Sequence, residues 1–144
     1  MADTTVDLNL PSKGFTETQE YQLDAIKVFK NTMLIVDADG YAGKAAAAAS
    51  TMFAGIALET IDNSGGSAGD LNVKVAINGR WLLTFSDTLT IADVGSVAYA
   101  TDDQTATITS AANKQLVGHV VEFVTASTAW VDISRMNTAI TLGT

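Results

Sequence analysis

Apolar residues alternate with polar or small ones in short runs along most of the chain, and the densest series lies at residues 95–133. GSVAYATDDQTATITSAANKQLVGHVVEFVTASTAWVDI reads as four strands, at 96–100, 105–109, 116–124 and 128–133. The breaks between them are Asp102 and Asp103, the small polar stretch 110–113, and Ala126 with Ser127. Short β-branched runs bounded by such residues are the signature of strands and turns. Strands this close in sequence are expected to be neighbours in an antiparallel meander, because a parallel crossover needs about a dozen residues or more.

Upstream the same reading predicts strands at 25–29 and 33–36, with a turn at Lys30 and Asn31. DADG (37–40) is a turn signature between apolar runs. Residues 41–49 end in a run of alanines, too short to hold a helix without tertiary help, so a loop or single turn is expected there. FAGIALE (53–59) is a strand, and the Gly/Ser/Asp stretch 61–70 is expected to be an exposed, mobile tip. LNVKVAI (71–77) alternates, placing Leu71, Val73, Val75 and Ile77 on one face. Asn78-Gly79 is the strongest two-residue hairpin signal, with 80–85 as the returning strand. Thr90 and Asp93 form a capping-box pair with Gly95 as a stop, predicting one short helical turn. AGIALE and VGHVVE echo each other; strict alternation would put Gly55 with Glu59, and Gly118 with Glu122, on one face. Glycine inside a strand signals a bulge or a close backbone approach.

Residues 1–24 differ in kind. They hold the only proline, Pro11, and keep no period of 2 or 3.6. They read as an extended arm in which Val6, Leu8 and Leu10 alternate as a candidate added strand, ordering against a neighbouring subunit. The expected organisation is an arm (1–24), a β domain (25–135) and a C-terminal tail (136–144). The expected fold class is all-β, a small barrel or tulip-like sandwich with the arm and one helical turn.

The 144 residues contain no cysteine, so the single domain folds without disulfide or cysteine–metal staples. A net charge of −8 disfavours phosphate backbones and anionic membrane surfaces as partners. Only 17% of residues are charged, which leaves much surface to Ala, Ser and Thr, as in proteins packed into assemblies. No run of apolar residues is long enough to span a membrane, and the N-terminus has neither a basic nor an apolar signal region. The protein is expected to stay in the cytoplasm where it is made, or to enter a particle assembled there.

No chemistry-bearing constellation stands out. His119 lies among valines and reads as a packed or interface residue. Asp102 and Asp103 are adjacent and point apart, so a turn is the better account than a carboxylate pair. Asp37-x-Asp39-Gly40 lacks the remaining ligands of a calcium loop, and GGSAGD (65–70) occurs once where stacked copies are needed. GYAGKA (40–45) lacks the glycine spacing and hydroxyl of a phosphate loop. No enzyme, cofactor or metal site is therefore expected. Trp81 and Trp130, with Tyr41, Tyr99 and Phe85, leave open a sugar-binding platform, although core packing is the default.

The ordered series DADGYAGKA (37–45), FAGIALE (53–59), DNSGGSAG (62–69), TIADVGSVAYATDDQTATIT (90–109), LVGHVVEF (116–123) and WVDI (130–133) resembles the head decoration, or capsid cement, proteins of tailed double-stranded DNA bacteriophages. Each motif alone is only a strand and a turn; the order carries the resemblance, over residues 25–133. It implies a structural virion protein on the outer capsid surface, a homotrimer bridging capsomers of the major capsid protein after the shell expands. It brings no catalytic residues. The candidate capsid or subunit contacts are Val6, Leu8 and Leu10 of the arm, and Tyr41 and Lys44 in the base loops. The alternative function is a carbohydrate- or cell-surface-binding β module displayed on a particle.

Overall fold

A computed structural model describes residues 3–8, 10–13, 17–48 and 51–134. The expected tail at 136–144 lies outside them. Thirteen short strands and one 3₁₀ turn form among the described residues. They are β1 (Ser12–Lys13), β2 (Thr18–Gln22), β3 (Lys27–Val28), β4 (Met33–Val36), β5 (Ala42–Lys44), β6 (Met52–Ala57), β7 (Ile61–Asp62), β8 (Asn72–Ala76) and β9 (Asn78–Phe85). The turn, Ile91–Asp93, comes next, followed by β10 (Val97–Ala100), β11 (Thr105–Thr107), β12 (Leu116–Phe123) and β13 (Thr128–Ser134). The protein is all-β, as its alternation predicts.

Five strands close into a barrel. The sheet runs β9-β11-β10-β12-β13, and β13 pairs back onto β9, with β1 added at the β9 edge. Period-2 alternation sends Trp81, Leu83 and Phe85 of β9 inward, with Ala129, Val131 and Ile133 of β13. Ala98, Ala100 and Ala106, on the short strands β10 and β11, are buried in the same core as Trp81.

The barrel corrects the meander expected for residues 95–133. β10–β11 and β12–β13 are antiparallel neighbours, but β12 pairs with β10, not with β11. β11 instead runs parallel to β9, Thr105 opposite Thr84 and Ala106 opposite Phe85. Residues 86–104 are long enough for that crossover. The Asn78-Gly79 hairpin is also corrected. β8 and β9 belong to different sheets, and these two residues open β9 itself, opposite Ser134 and Ile133. Gly79, at φ +99°, turns the chain from one sheet into the other. The apolar faces of β8 and β9 then reach different partners, which a tight hairpin would not allow.

The second sheet has the order β2-β8-β6-β4-β5, all antiparallel, and an isolated parallel bridge from Leu23 to Ala42 joins its two ends. One face (Met33, Ile35, Phe53, Ile56, Ala76) shares the barrel's core. The opposite face holds a second core of Leu23, Val28, Leu34, Ala42, Ala54, Ala57, Val73 and Val75. The ribbon β3–β7, with Val28 opposite Ile61, closes over it. Leu71, expected on the apolar face of β8, is exposed. Residues 42–44, expected in a loop, are strand β5, the return arm of the DADG hairpin.

Gly55 and Gly118 sit at bulges. The β4–β6 register skips Ala54 beside Gly55, which has φ +146°, so Phe53 and Ile56 face one core while Ala54 and Ala57 face the other. A Cβ at Gly55 would collide with the Ala76 carbonyl, and one at Gly118 with the Asp132 carbonyl. The same-face expectation for each Gly–Glu pair fails as a result. β6 ends before Glu59, and the β12 register shifts between Val120 and Glu122.

The 61–70 stretch is exposed at Ser64–Ser67 but anchored at Asn63. The buried Asn63 amide donates to the carbonyls of Leu23 (3.1 Å), Asp24 (3.0 Å) and Ser67 (3.0 Å). The 3₁₀ turn forms where predicted: the Thr90 N–H donates to Asp93 Oδ2 at 2.8 Å, and Gly95 follows at φ +96°.

Candidate functional site

The arm is the segment on which the sequence placed most of its candidate contacts, and its seat follows from an incomplete barrel wall. One edge of β9 is covered by β13 over residues 78–84. The other edge meets β11 only at Thr84 and Phe85. The arm fills the gap: Ser12 lies opposite Trp81, Lys13 opposite Arg80, and the Pro11 carbonyl accepts the Leu82 N–H at 3.0 Å. Proline suits this start of an edge strand, since its missing donor costs the ladder nothing there. The arm's strand is therefore Ser12–Lys13 rather than the expected Val6, Leu8 and Leu10, and it pairs with the chain's own barrel.

Leu8 and Leu10 pack beside it. With Pro11, Leu82, Thr84, Gln104 and Thr128 they line a cleft of ≈ 210 Å³, below the range of about 300–1,000 Å³ usual for small-molecule sites. The Leu8 N–H donates to the Lys30 carbonyl at 3.2 Å, and Asn31 Nδ2 donates to the Leu8 carbonyl at 2.5 Å. Thr60 Oγ1 holds Asp7 Oδ1. Val6 stands out from this strap, 63% exposed.

The first described residues reach the β10–β11 turn. The Thr4 N–H donates to Asp103 Oδ1 at 3.2 Å, and Asp3 pairs with Lys44 at 3.9 Å. Asp102 and Asp103 make the turn that the sequence predicts, but they are 5% and 1% exposed. Asp102 Oδ1 accepts the Gln104 N–H at 3.0 Å, while Oδ2 of each aspartate is buried without a hydrogen-bond partner. Burial pushes the Asp103 carboxyl up to about 6; the Thr4 hydrogen bond opposes this, Asp3 adds to it, and Lys44 again opposes it. The Asp103 backbone carbonyl also accepts the Met33 N–H at 2.8 Å, tying the turn to the second sheet.

Of the five candidate contacts, Leu8 and Leu10 are brought together on the barrel, and Lys44 meets the arm's start. Val6 faces out. Tyr41 sits apart, its N–H on Asp37 Oδ1 at 3.0 Å and its ring beside Gly69. Asp103, the arm's buried anchor, was missed because a polar pair between strands carries no local mark of burial. His119 lies half-buried on the barrel's outer face opposite Asp132, while Val117, Gly118 and Val120 are buried. Trp81 is in the core and Trp130 is half-buried on β13, so the two indoles do not share a platform. Among the described residues no group of three or more His, Cys, Asp or Glu is placed to hold a metal ion. No known protein family, curated protein or solved structure matches the chain.

Proposed function

We propose that this chain is a structural decoration protein. It binds the outer surface of an expanded phage head as a homotrimer, bridging subunits of the major capsid protein, and has no catalytic role. The observation that carries this reading is one of order. The segments of the resemblance fall in sequence on the turn into β5 and β5 itself, β6, the Asn63 loop, the 3₁₀ turn through β11, β12 and β13 of one all-β unit, with the arm laid across the barrel's outside.

The mechanism needs no reactive group. Packed DNA pushes capsomers apart, and a clamp that binds only the expanded lattice favours the state it binds. Each contact stays weak because trimerisation and lattice symmetry repeat it. Val6 is the most open of the five candidate contact residues, since Leu8 and Leu10 are engaged on the chain's own barrel.

The test is co-sedimentation of purified protein with expanded parent heads lacking it and with unexpanded procapsids. Saturable binding to expanded heads alone is expected. Absence of binding to either particle overturns the reading.

A further inference from the structure

One end of the barrel carries apolar side chains that stay exposed among the described residues. The Leu89 N–H donates to the Ala126 carbonyl at 2.7 Å, and the Gly95 N–H to the Val120 carbonyl at 2.7 Å. These two bonds lay residues 90–94 alongside residues 121–125. Ile91 on the turn is 70% exposed, Val94 42% and Val124 41%. The same segment buries Leu89, so the outward apolar groups are not a failure of local packing.

The border of this patch is acidic. Asp93 and Glu122 belong to the segments that build it, Asp87 precedes them on the same connection, and neither residues 81–113 nor 115–134 contain a lysine or arginine. Two of the three carboxylates are held in place. Asp93 accepts the Thr90 N–H, and Asp87 accepts the Ile108 N–H at 3.0 Å and the Thr109 hydroxyl at 2.8 Å. Burial works against the Asp87 anion, but hydrogen bonds from Thr107, Thr109 and Ile108 keep its carboxyl below the ordinary value, so it remains charged at neutral pH.

We infer that the Ile91–Val94–Val124 end of the barrel is a docking surface for a protein surface that presents an apolar hollow bordered by Lys or Arg side chains. Charge selects this class. An acidic rim repels anionic lipid headgroups and phosphate backbones, and it complements a basic protein border. Exposed β-branched side chains at the centre with charge around them reproduce the core-and-rim pattern of protein interfaces. Under the decoration reading, on which this step rests, the partner surface is the expanded shell.

The experiment is binding of the full-length protein to expanded heads, comparing the natural chain with Ile91→Asp, Val124→Asp and Glu122→Lys. Met52→Asp, at an exposed apolar position on β6, is the control. All these side chains lie open, so unchanged thermal midpoints are expected. Ile91→Asp and Val124→Asp should weaken binding by at least about tenfold, Glu122→Lys by a few-fold, and Met52→Asp not at all. Added salt should weaken binding of the natural chain.

Failure of the natural chain to bind any head defeats the decoration reading and the shell as partner together. Undiminished binding by Ile91→Asp and Val124→Asp overturns the docking surface while leaving decoration intact. Loss with the apolar variants but not with Glu122→Lys overturns the basic border. Loss of self-association by Ile91→Asp, measured by sedimentation velocity without heads, assigns the patch to a second copy and overturns the proposal.

Discussion

The barrel and the second sheet are built from five short strands each, yet they are closed in different ways. In the barrel, β13 and β9 pair continuously from Thr128 opposite Thr84 to Ser134 opposite Asn78. In the second sheet the ends meet at a single bridge, Leu23 to Ala42. The barrel's core includes Trp81 and Phe85, while the second core is filled by Leu, Val and Ala and closed by a two-residue ribbon. Similar strands therefore yield one region locked by register and another that depends on what is laid over it. Regions with fewer large buried groups open at lower free energy, so the second sheet should be the first to loosen.

The sharpest way to break this comparison is to empty the barrel. Trp81→Ala should cost about 3–5 kcal/mol in denaturant unfolding and lower protection throughout the chain, because the second sheet packs on the same core. A smaller loss confined to the barrel would mean that the two regions stand independently.

Asn63→Ala tests the other side. It strips donors from the carbonyls of Leu23, Asp24 and Ser67 and should cost about 1–3 kcal/mol. Hydrogen exchange should quicken at Leu23, Val73 and Val75 while Leu83 and Val131 keep their protection. Equal acceleration in both regions would erase the distinction.

The arm bridges the two regions, and its anchor titrates. Asp103 has its carboxyl raised from 3.8 to about 6 by burial, so the folded chain holds a proton that the unfolded chain has already released in that window. Its contribution to stability is therefore full below the ordinary value of 3.8 and is lost as pH rises from there through about 6. Asp62 and Asp87 have lowered carboxyls, so their contribution has the opposite sign and is lost only below the ordinary carboxylate range. In Asp103→Asn the decline between pH 4 and 6 should flatten; an unchanged profile would remove Asp103 from the account.

The smallest effect is expected where the arm meets solvent. Lys44 and Asp3 form a partly exposed pair at 3.9 Å, and Lys44→Ala should cost less than about 1 kcal/mol in thermal unfolding. A larger loss would mean that this pair, rather than the Asp103 and Leu82 hydrogen bonds, secures the arm.

The candidate site was only partly legible. The alternation of Val6, Leu8 and Leu10 indicated an arm able to join a sheet, but the strand that joins is Ser12–Lys13, and residues 18–23 of the expected arm form β2 and bury Leu23 in the second core. The arm's acceptor was not legible, because the edge of β9 is free only once β11 proves too short to cover it. The burial of Asp103 was hidden for a similar reason: TDDQT reads as a turn whether or not an arm is laid over it. Leu8 and Leu10 show the same division, apolar in sequence but given a partner only by the cleft beside Leu82.

Local chemistry determined where many strands and turns lie, though not β2, β5 or β7, which fall where the sequence reads as arm or loop. β-branched alternation marks β10, β12 and β13, Thr90 with Asp93 marks the 3₁₀ turn, and Gly55 and Gly118 mark bulges. These depend on backbone dihedrals and nearest neighbours, which a linear sequence carries. Tertiary structure alone decided which strands pair. The parallel match of β11 to β9, the corner at Asn78-Gly79, the arm on β9 and the exposed Ile91–Val124 end all arise from closing a barrel. Backbone edges carry no side-chain code, so closure selects partners by geometry across the whole chain.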